Sequence, residues 1–256
     1  GPHSRIVVLP GAGYTNTGPT TLTAYLGTFA TTTITGAPVV TGTNHHGDAV
    51  TQRAKTALVT AYNVAAGEGP TSPITGDLTG RTLTRGVYNS ASSIGLTGRL
   101  TLSGSGPFVF QSGTALTTGS GSQINLINGA RSCNVFWQIG SSATLGTGSR
   151  FVGTIMAMSS ITATTGANVV GRLLARNGAV TLDTNVITRP TPCAATGATG
   201  GTGSQVGQVP TGGVSSGDGS TAVGSDRAQG LLAGGLLLAG LGGAVVVAGR
   251  RRRLNS

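Results

Sequence analysis

Two stretches of this chain, residues 141–153 (SSATLGTGSRFVG) and 159–171 (SSITATTGANVVG), begin 18 residues apart and share one frame. Both read Ser-Ser-apolar-Thr-x-x-Thr-Gly-x-x-apolar-Val-Gly. Extending the frame gives four pairs: Thr117 with Ser120, Thr144 with Thr147, Thr162 with Thr165, and Thr181 with Thr184. The spacings between first members are 27, 18 and 19, the first enlarged by a segment containing INGARSC. An apolar stretch precedes each pair: FVFQ, VFWQ, TIMA and RLLA. Short strands joined by Gly corners at a period near 18 predict a mainly β chain, a parallel β-solenoid of about 18 residues per coil. Stacked strands lie about 4.8 Å apart, so matching threonines form columns. Side chains at i and i+3 of a strand point to opposite faces, so each pair needs a bend if both are to face out, whereas Thr162 and Thr164 share a face without one.

Composition fits that reading. With 45 Gly among 256 residues, 9% charged residues and many Thr, Ser, Ala and Val, the chain is too apolar and β-branched for disorder. It is also too poor in Leu, Glu and Lys for a helical bundle. One segment departs from the strand rhythm. In residues 47–69, Val50, Ala54, Ala57, Leu58, Ala61 and Ala65 fall on one stripe at helical spacing, between Asp48 as N-cap and Gly67 as stop. A single helix over about 48–66 is expected to lie along the β stack, its stripe belonging to the core.

The formal charge of +10 suggests nucleic acid, but its distribution does not. Four of the 16 basic residues are Arg250 to Arg253, and the others are scattered singly with no aromatic platform between them. No nucleic-acid partner is expected. Catalysis needs clustered carboxylates, a metal set or a positioned base, and the domain offers only Asp48, Glu68, Asp77 and Asp183, far apart. The histidines and cysteines lack metal-ligand spacing. The chain reads as no enzyme, with no metal and no cofactor. Cys133 and Cys193 either form one disulfide, as an exported chain would favour, or stay as two buried thiols.

The C-terminal part divides into three. Residues 194–229 are a Gly/Ser/Thr linker with almost no large apolar side chain. Residues 230–249 contain 18 uncharged, apolar positions from Leu231 to Ala248, about 27 Å as a helix, which predicts a transmembrane helix. Residues 250–256 form a basic tail expected on the cytoplasmic side. The domain over 5–193 is therefore expected on the extracellular face of the cell envelope, membrane-anchored through 230–249, its export signal preceding the sequence in hand. VPTGG at 209–213 is similar to a cell-wall sorting signal with one residue fewer between Pro and Thr, so wall attachment is a further possible partner.

Residues 15–188 resemble the microbial ice-binding (antifreeze) β-solenoid family, here carrying a C-terminal cell-surface anchor. The resemblance rests on TNTGPTTLTAYLGT, GDAVTQRAKTALVTAYNVAAG, GDLTGRTLTRGVY, VFWQIGSSATLGTGSRFVGTIMA and GRLLARNGAVTLDTN, in order and spacing. Ala24-Tyr25 replaces the family's Gly-Asp, and the loop at SGSGPF is shortened. The resemblance implies a discontinuous solenoid with one long helix packed alongside. It also implies binding to an ice crystal surface through a flat array of small polar residues. Thr117, Ser120, Thr144, Thr147, Thr162, Thr164, Thr165, Thr181 and Thr184 are the residues it selects here, with Asp183 and Leu145 the ones most apt to spoil a flat face. The alternative is a surface adhesin or scaffold of the same fold without ice affinity.

Overall fold

Alternating short segments ended by glycine have one use for their backbone groups, which is pairing sideways with the next turn of chain. Two parallel sheets result. The computed structural model describes residues 2–29, 33–69 and 72–190, all within the compact unit Gly1–Thr199. The eight-stranded sheet stacks, in spatial order, Ile34–Thr35, Tyr14–Thr17, Val180–Asp183, Ile161–Ala163, Ala143–Leu145, Leu116–Thr118, Ile94–Leu96 and Gly76–Asp77. The thirteen-stranded sheet runs beside it through Val39–Val40, Thr21–Leu22, Val186–Thr188, Asn168–Ala175, Arg150–Ala157, Gln123–Ile127, Arg99–Ser112, Thr82–Ser90 and Ser72–Pro73. Ile6–Leu9 is inserted between Asn168–Ala175 and Tyr25–Thr28.

Spatial order is therefore not chain order. The strands of residues 6–46 stack against those of residues 168–188, at the far end from Ser72–Pro73. The chain must then travel back along the stack before residues 72–188 can be laid down. Helix α1, Ala49–Gly67, makes that journey: its 19 residues cover about 28 Å, the depth of about six strands at 4.8 Å.

The expectation of a regular solenoid of about 18 residues per coil is corrected. Arg99–Ser112 pairs by its first five residues with Gln123–Ile127 and by its last five with Val135–Ile139. Both of those pair with Arg150–Ala157, so four strands close on themselves in a ring instead of forming one regular ladder. The cause is the inserted segment 128–134, which splits one turn's strand in two. It lengthens the step from Phe110 to its partner Trp137 to 27 residues, against 18 from Trp137 to Ile155. Among the described residues no helix is long and apolar enough to cross a membrane. Segment 230–249 lies outside the described residues.

Between the sheets, successive strands stack like on like. Tyr88, Phe110, Trp137 and Phe151 follow one another with ring centroids 5.4, 4.0 and 5.2 Å apart. Trp137 is fully buried and donates its indole N–H to the Val152 carbonyl at 3.0 Å. Helix α1 covers the outer side of the larger sheet. Its buried face is Thr51, Ala54, Leu58, Tyr62 and Ala65, against Ile6, Leu9, Val109 and Met156. Thr51 and Tyr62 thus join the face that alanine and leucine spacing outlined, while Ala57 and Ala61 remain exposed. Asp48 caps the helix, its carboxylate accepting the Thr51 N–H at 2.9 Å.

Polar ties fix the helix. Lys55 Nζ donates to the carbonyls of Ala175 (2.8 Å) and Arg176. The Tyr62 hydroxyl donates to the Ile139 carbonyl at 3.2 Å, and the Arg176 guanidinium lies 4.7 Å from the Tyr62 ring centre. Gln111 Nε2 donates to the carbonyls of Ala65 and Glu68, both at 2.8 Å. Half-burial, with Arg176 nearby, lowers the Lys55 ammonium from 10.5 to about 8.

Candidate functional site

In the eight-stranded sheet each central strand turns one residue outward between two buried ones. Ile161 and Ala163 point inward on either side of Thr162, and Ala143 and Leu145 do the same for Thr144. Leu145 is fully buried and leaves the outer face undisturbed. The outward residues stand in exact pairing register: Thr35 with Thr15, Thr15 with Thr181, Thr181 with Thr162, Thr162 with Thr144, Thr144 with Thr117. Six threonines on six adjacent strands make one uninterrupted column, about 24 Å long at 4.8 Å per step. Gly95 and then Asp77 continue it toward the sheet's edge.

Four of the nine residues selected from the sequence (Thr117, Thr144, Thr162 and Thr181) lie in this column. Thr15 and Thr35 were missed. The motif TNTG at 15–18 carries the signal, but its neighbour in space, Thr181, is 166 residues away, so no sequence period links them.

A second column flanks the first at the corner. The N–H groups of Gly121, Gly148, Gly166 and Thr184 donate to the carbonyls of Thr147, Thr165, Asp183 and Thr17, at 2.8 to 3.0 Å. Those bonds place Thr147, Thr165, Asp183 and Thr17 one above another, with Ser120 below them. Ser120, Thr147 and Thr165 are exposed. Thr184 is not in this column. It occupies the corner position of Gly148 and Gly166, at φ 54° against their 63° and 72°. One residue fewer between Thr181 and the corner shifts the frame, so Asp183 stands where Thr165 stands in the turn before. Its carboxylate accepts the hydroxyls of Thr165 and Thr184. Thr164 turns aside, its hydroxyl donating to the Leu145 carbonyl at 2.8 Å and lying 3.3 Å from that of Thr147.

The face ends at the Gly76–Asp77 edge. There the Asp77 carboxylate accepts the N–H and hydroxyl of Thr79, at 2.8 and 2.6 Å, and the N–H and hydroxyl of Thr97. Partial desolvation acts to raise its pKa, but these four donors outweigh it and hold the carboxyl down at about 2. Such a cap occupies edge groups that would otherwise invite another strand. Among the described residues no cluster of three or more His, Cys, Asp or Glu could hold a metal. No cysteine among them is free; Cys133 lies in the short helix Ser132–Asn134, and Cys193 falls outside the described residues.

A family model described as ice-binding-like matches residues 8–188. An ice-binding protein of Nostoc sp. (strain HG1) is 50% identical over 195 residues, which are 73% of this chain and 72% of that one. The crystal structure of an ice binding protein from an Antarctic biological consortium superposes with TM-score 0.72 at 40% identity, covering 75% of this chain and 90% of that one. That of an ice-binding protein from the Antarctic ascomycete Antarctomyces psychrotrophicus gives 0.71 at 40%, covering 73% and 96%. These relatives are named as ice-binding proteins, not as enzymes. With a family model spanning residues 8–188 and a half-identical relative, the chain belongs to the ice-binding-like family.

Proposed function

We propose that this chain binds ice through the outer face of its eight-stranded sheet. The observation that carries the proposal is the unbroken column Thr35–Thr15–Thr181–Thr162–Thr144–Thr117. Threonine is branched at Cβ and stiff at χ1, so a strand-held column has few rotamers to lose on contact with a crystal. Each member offers a methyl and a hydroxyl at a fixed repeat, able to hold water in a repeating pattern. Ser120, Thr147 and Thr165 widen the face at its corner. The similarity to proteins named for ice binding supports the same reading. Thr162→Tyr tests it: a ring at the centre of the column holds the face off the lattice, and ice shaping and recrystallisation inhibition should disappear. Full activity in the folded variant would move the site to another face.

The sequence supports a surface placement. In this reading, residues 5–193 form the ice-binding domain, 194–229 a tether, 230–249 the membrane attachment and 250–256 the cytoplasmic tail, with VPTGG a point of wall attachment. The Cys133–Cys193 disulfide would close a loop of about 60 residues and stabilise an exported domain by roughly 4 kcal/mol. Protease applied to intact cells should release a fragment ending within 194–229. Recovery of the whole chain from culture fluid would refute the attachment, and two free thiols in non-reducing mass spectrometry would refute the disulfide.

A further inference from the structure

On the side away from the threonine column, helix α1 does not seal the larger sheet. Ala54, Ala57 and Ala61 are too short to fill the space over Phe136, Met156 and Leu174, and a groove remains. Its first chamber has a volume of about 270 Å³ and an almost wholly apolar lining, with Ile6 and Leu58 in its walls. A second chamber of about 210 Å³ shares Ala61, Phe136 and Met156 with the first and continues beside α1 to Val64 and Glu68.

Charge is gathered at one end. Arg172 lines the first chamber, half-buried, with one guanidinium N–H donated to the Ser4 carbonyl at 3.1 Å. Arg189, with Arg5 and Ser4, lines a shallow depression that adjoins the first chamber at Ser4. Among the described residues, none of these three arginines forms an ion pair. The carboxylate bordering the groove, Glu68, stands at its opposite end. Among the described residues the half-buried Arg172 and Arg189 have no carboxylate partner, which leaves an anion's place open.

We infer that this groove binds a single-chain anionic amphiphile, an alkyl carboxylate of the fatty-acid class, with its head at Arg172 and Arg189 and its tail laid along α1. If a methylene fills about 30 Å³, the share of one water in the liquid, about nine carbons fill the first chamber and about sixteen fill both. The threonine column lies on the other sheet, so occupancy and ice binding are separate properties.

Calorimetric titration of the full-length protein with octanoate, decanoate and dodecanoate, each below its micellar concentration, provides the test. Saturable one-to-one binding should tighten about fourfold per added methylene, the factor for about 0.8 kcal/mol. Decanol, which lacks the charge, should bind at least tenfold more weakly than decanoate. Arg189→Ala should erase most of that difference, and Ala61→Trp, which blocks the groove from the exposed side of α1, should remove binding of all three acids. Unchanged ice shaping in both variants would show that they are folded. No saturable heat from any acid overturns the inference, as does equal binding of decanol and decanoate or undiminished binding in folded Ala61→Trp. Binding to phosphatidylglycerol vesicles with none to free decanoate would also overturn it, assigning the arginines to a membrane surface.

Discussion

The two long faces of this domain belong to its two parallel sheets and follow opposite rules. On the eight-stranded sheet, the outward positions repeat one residue type for six strands, and among the described residues no helix lies over them. On the thirteen-stranded sheet, the outward positions near α1 include Ile6, Leu9, Val109, Phe136, Met156 and Leu174, of mixed type, and a helix lies on them. Repetition is of no use beneath a helix, whose own side chains advance by 100° and must be met individually. It is required of a surface meant to match another repeating surface. The threonine face accordingly contributes to recognition and little to stability, and the helix face the reverse.

Exchanging a perturbation between the faces should break this contrast most visibly if it is wrong. Thr162→Tyr should abolish ice shaping and change stability by less than about 0.5 kcal/mol, since an exposed strand position accepts tyrosine well. Leu58→Ala, in the buried stripe of α1, should cost about 3 kcal/mol and leave ice shaping intact at temperatures where the variant is folded. Thermal melting and nanolitre osmometry on the same two samples check both halves. A large melting shift in the first, or lost activity in folded Leu58→Ala, would mean that the faces are not independent.

The division also explains what could be read from the sequence. The column was legible where turns follow each other along the chain, from Thr117 through Thr181, because each turn announces the next at a nearly constant spacing. It was illegible at Thr15 and Thr35, where the neighbouring strand is contributed by the opposite end of the domain. Thr184 falls outside the second column for a local reason: a single residue lost at the corner leaves Thr-x-x-Thr intact as letters while moving its second member to the corner position. On the helix side, apolar spacing located α1 but not Tyr62 or Thr51, whose places depend on the Ile139 carbonyl and the Asp48 cap. The four-strand ring came from an insertion whose length was visible and whose pairing was not.

The faces should also part on a pH scale. Lys55 sits under the helix with a pKa lowered from 10.5 to about 8, so between those values the unfolded chain binds more protons than the folded one. Stability should therefore rise as pH increases from 8 to 10.5, by about 1 kcal/mol once the partial exposure of the amine is discounted, and Lys55→Met should flatten that rise. Asp77, at the open end of the threonine sheet, behaves oppositely. Its carboxyl is held at about 2, so the stability it lends is complete above the ordinary carboxylate value and is lost as pH falls toward 2. Urea melts of the parent, Lys55→Met and Asp77→Asn across this range would separate the two. A Lys55→Met profile parallel to the parent's above pH 8 would remove the lysine from the account.

The smallest expected effect bears on where the recognition face stops. Thr184 holds φ 54° in a position that the neighbouring turns give to Gly148 and Gly166. A β-branched residue in the left-handed region carries roughly 1–2 kcal/mol of strain. Glycine would release that strain but lose more backbone entropy on folding, by roughly 0.5–1 kcal/mol, and would forfeit the hydroxyl's bond to Asp183. The balance favours Thr184→Gly by about 0.5 kcal/mol, a rise of about 1–2 °C in melting temperature for a domain of this size. Ice shaping should not change, because the residue that stands above Thr165 is Asp183. Were Thr184 instead a working member of the second column, as the letters Thr-x-x-Thr suggest, the same substitution would weaken ice shaping while stability rose. A single variant, melted and then assayed for ice shaping, thus tells the corner from the face.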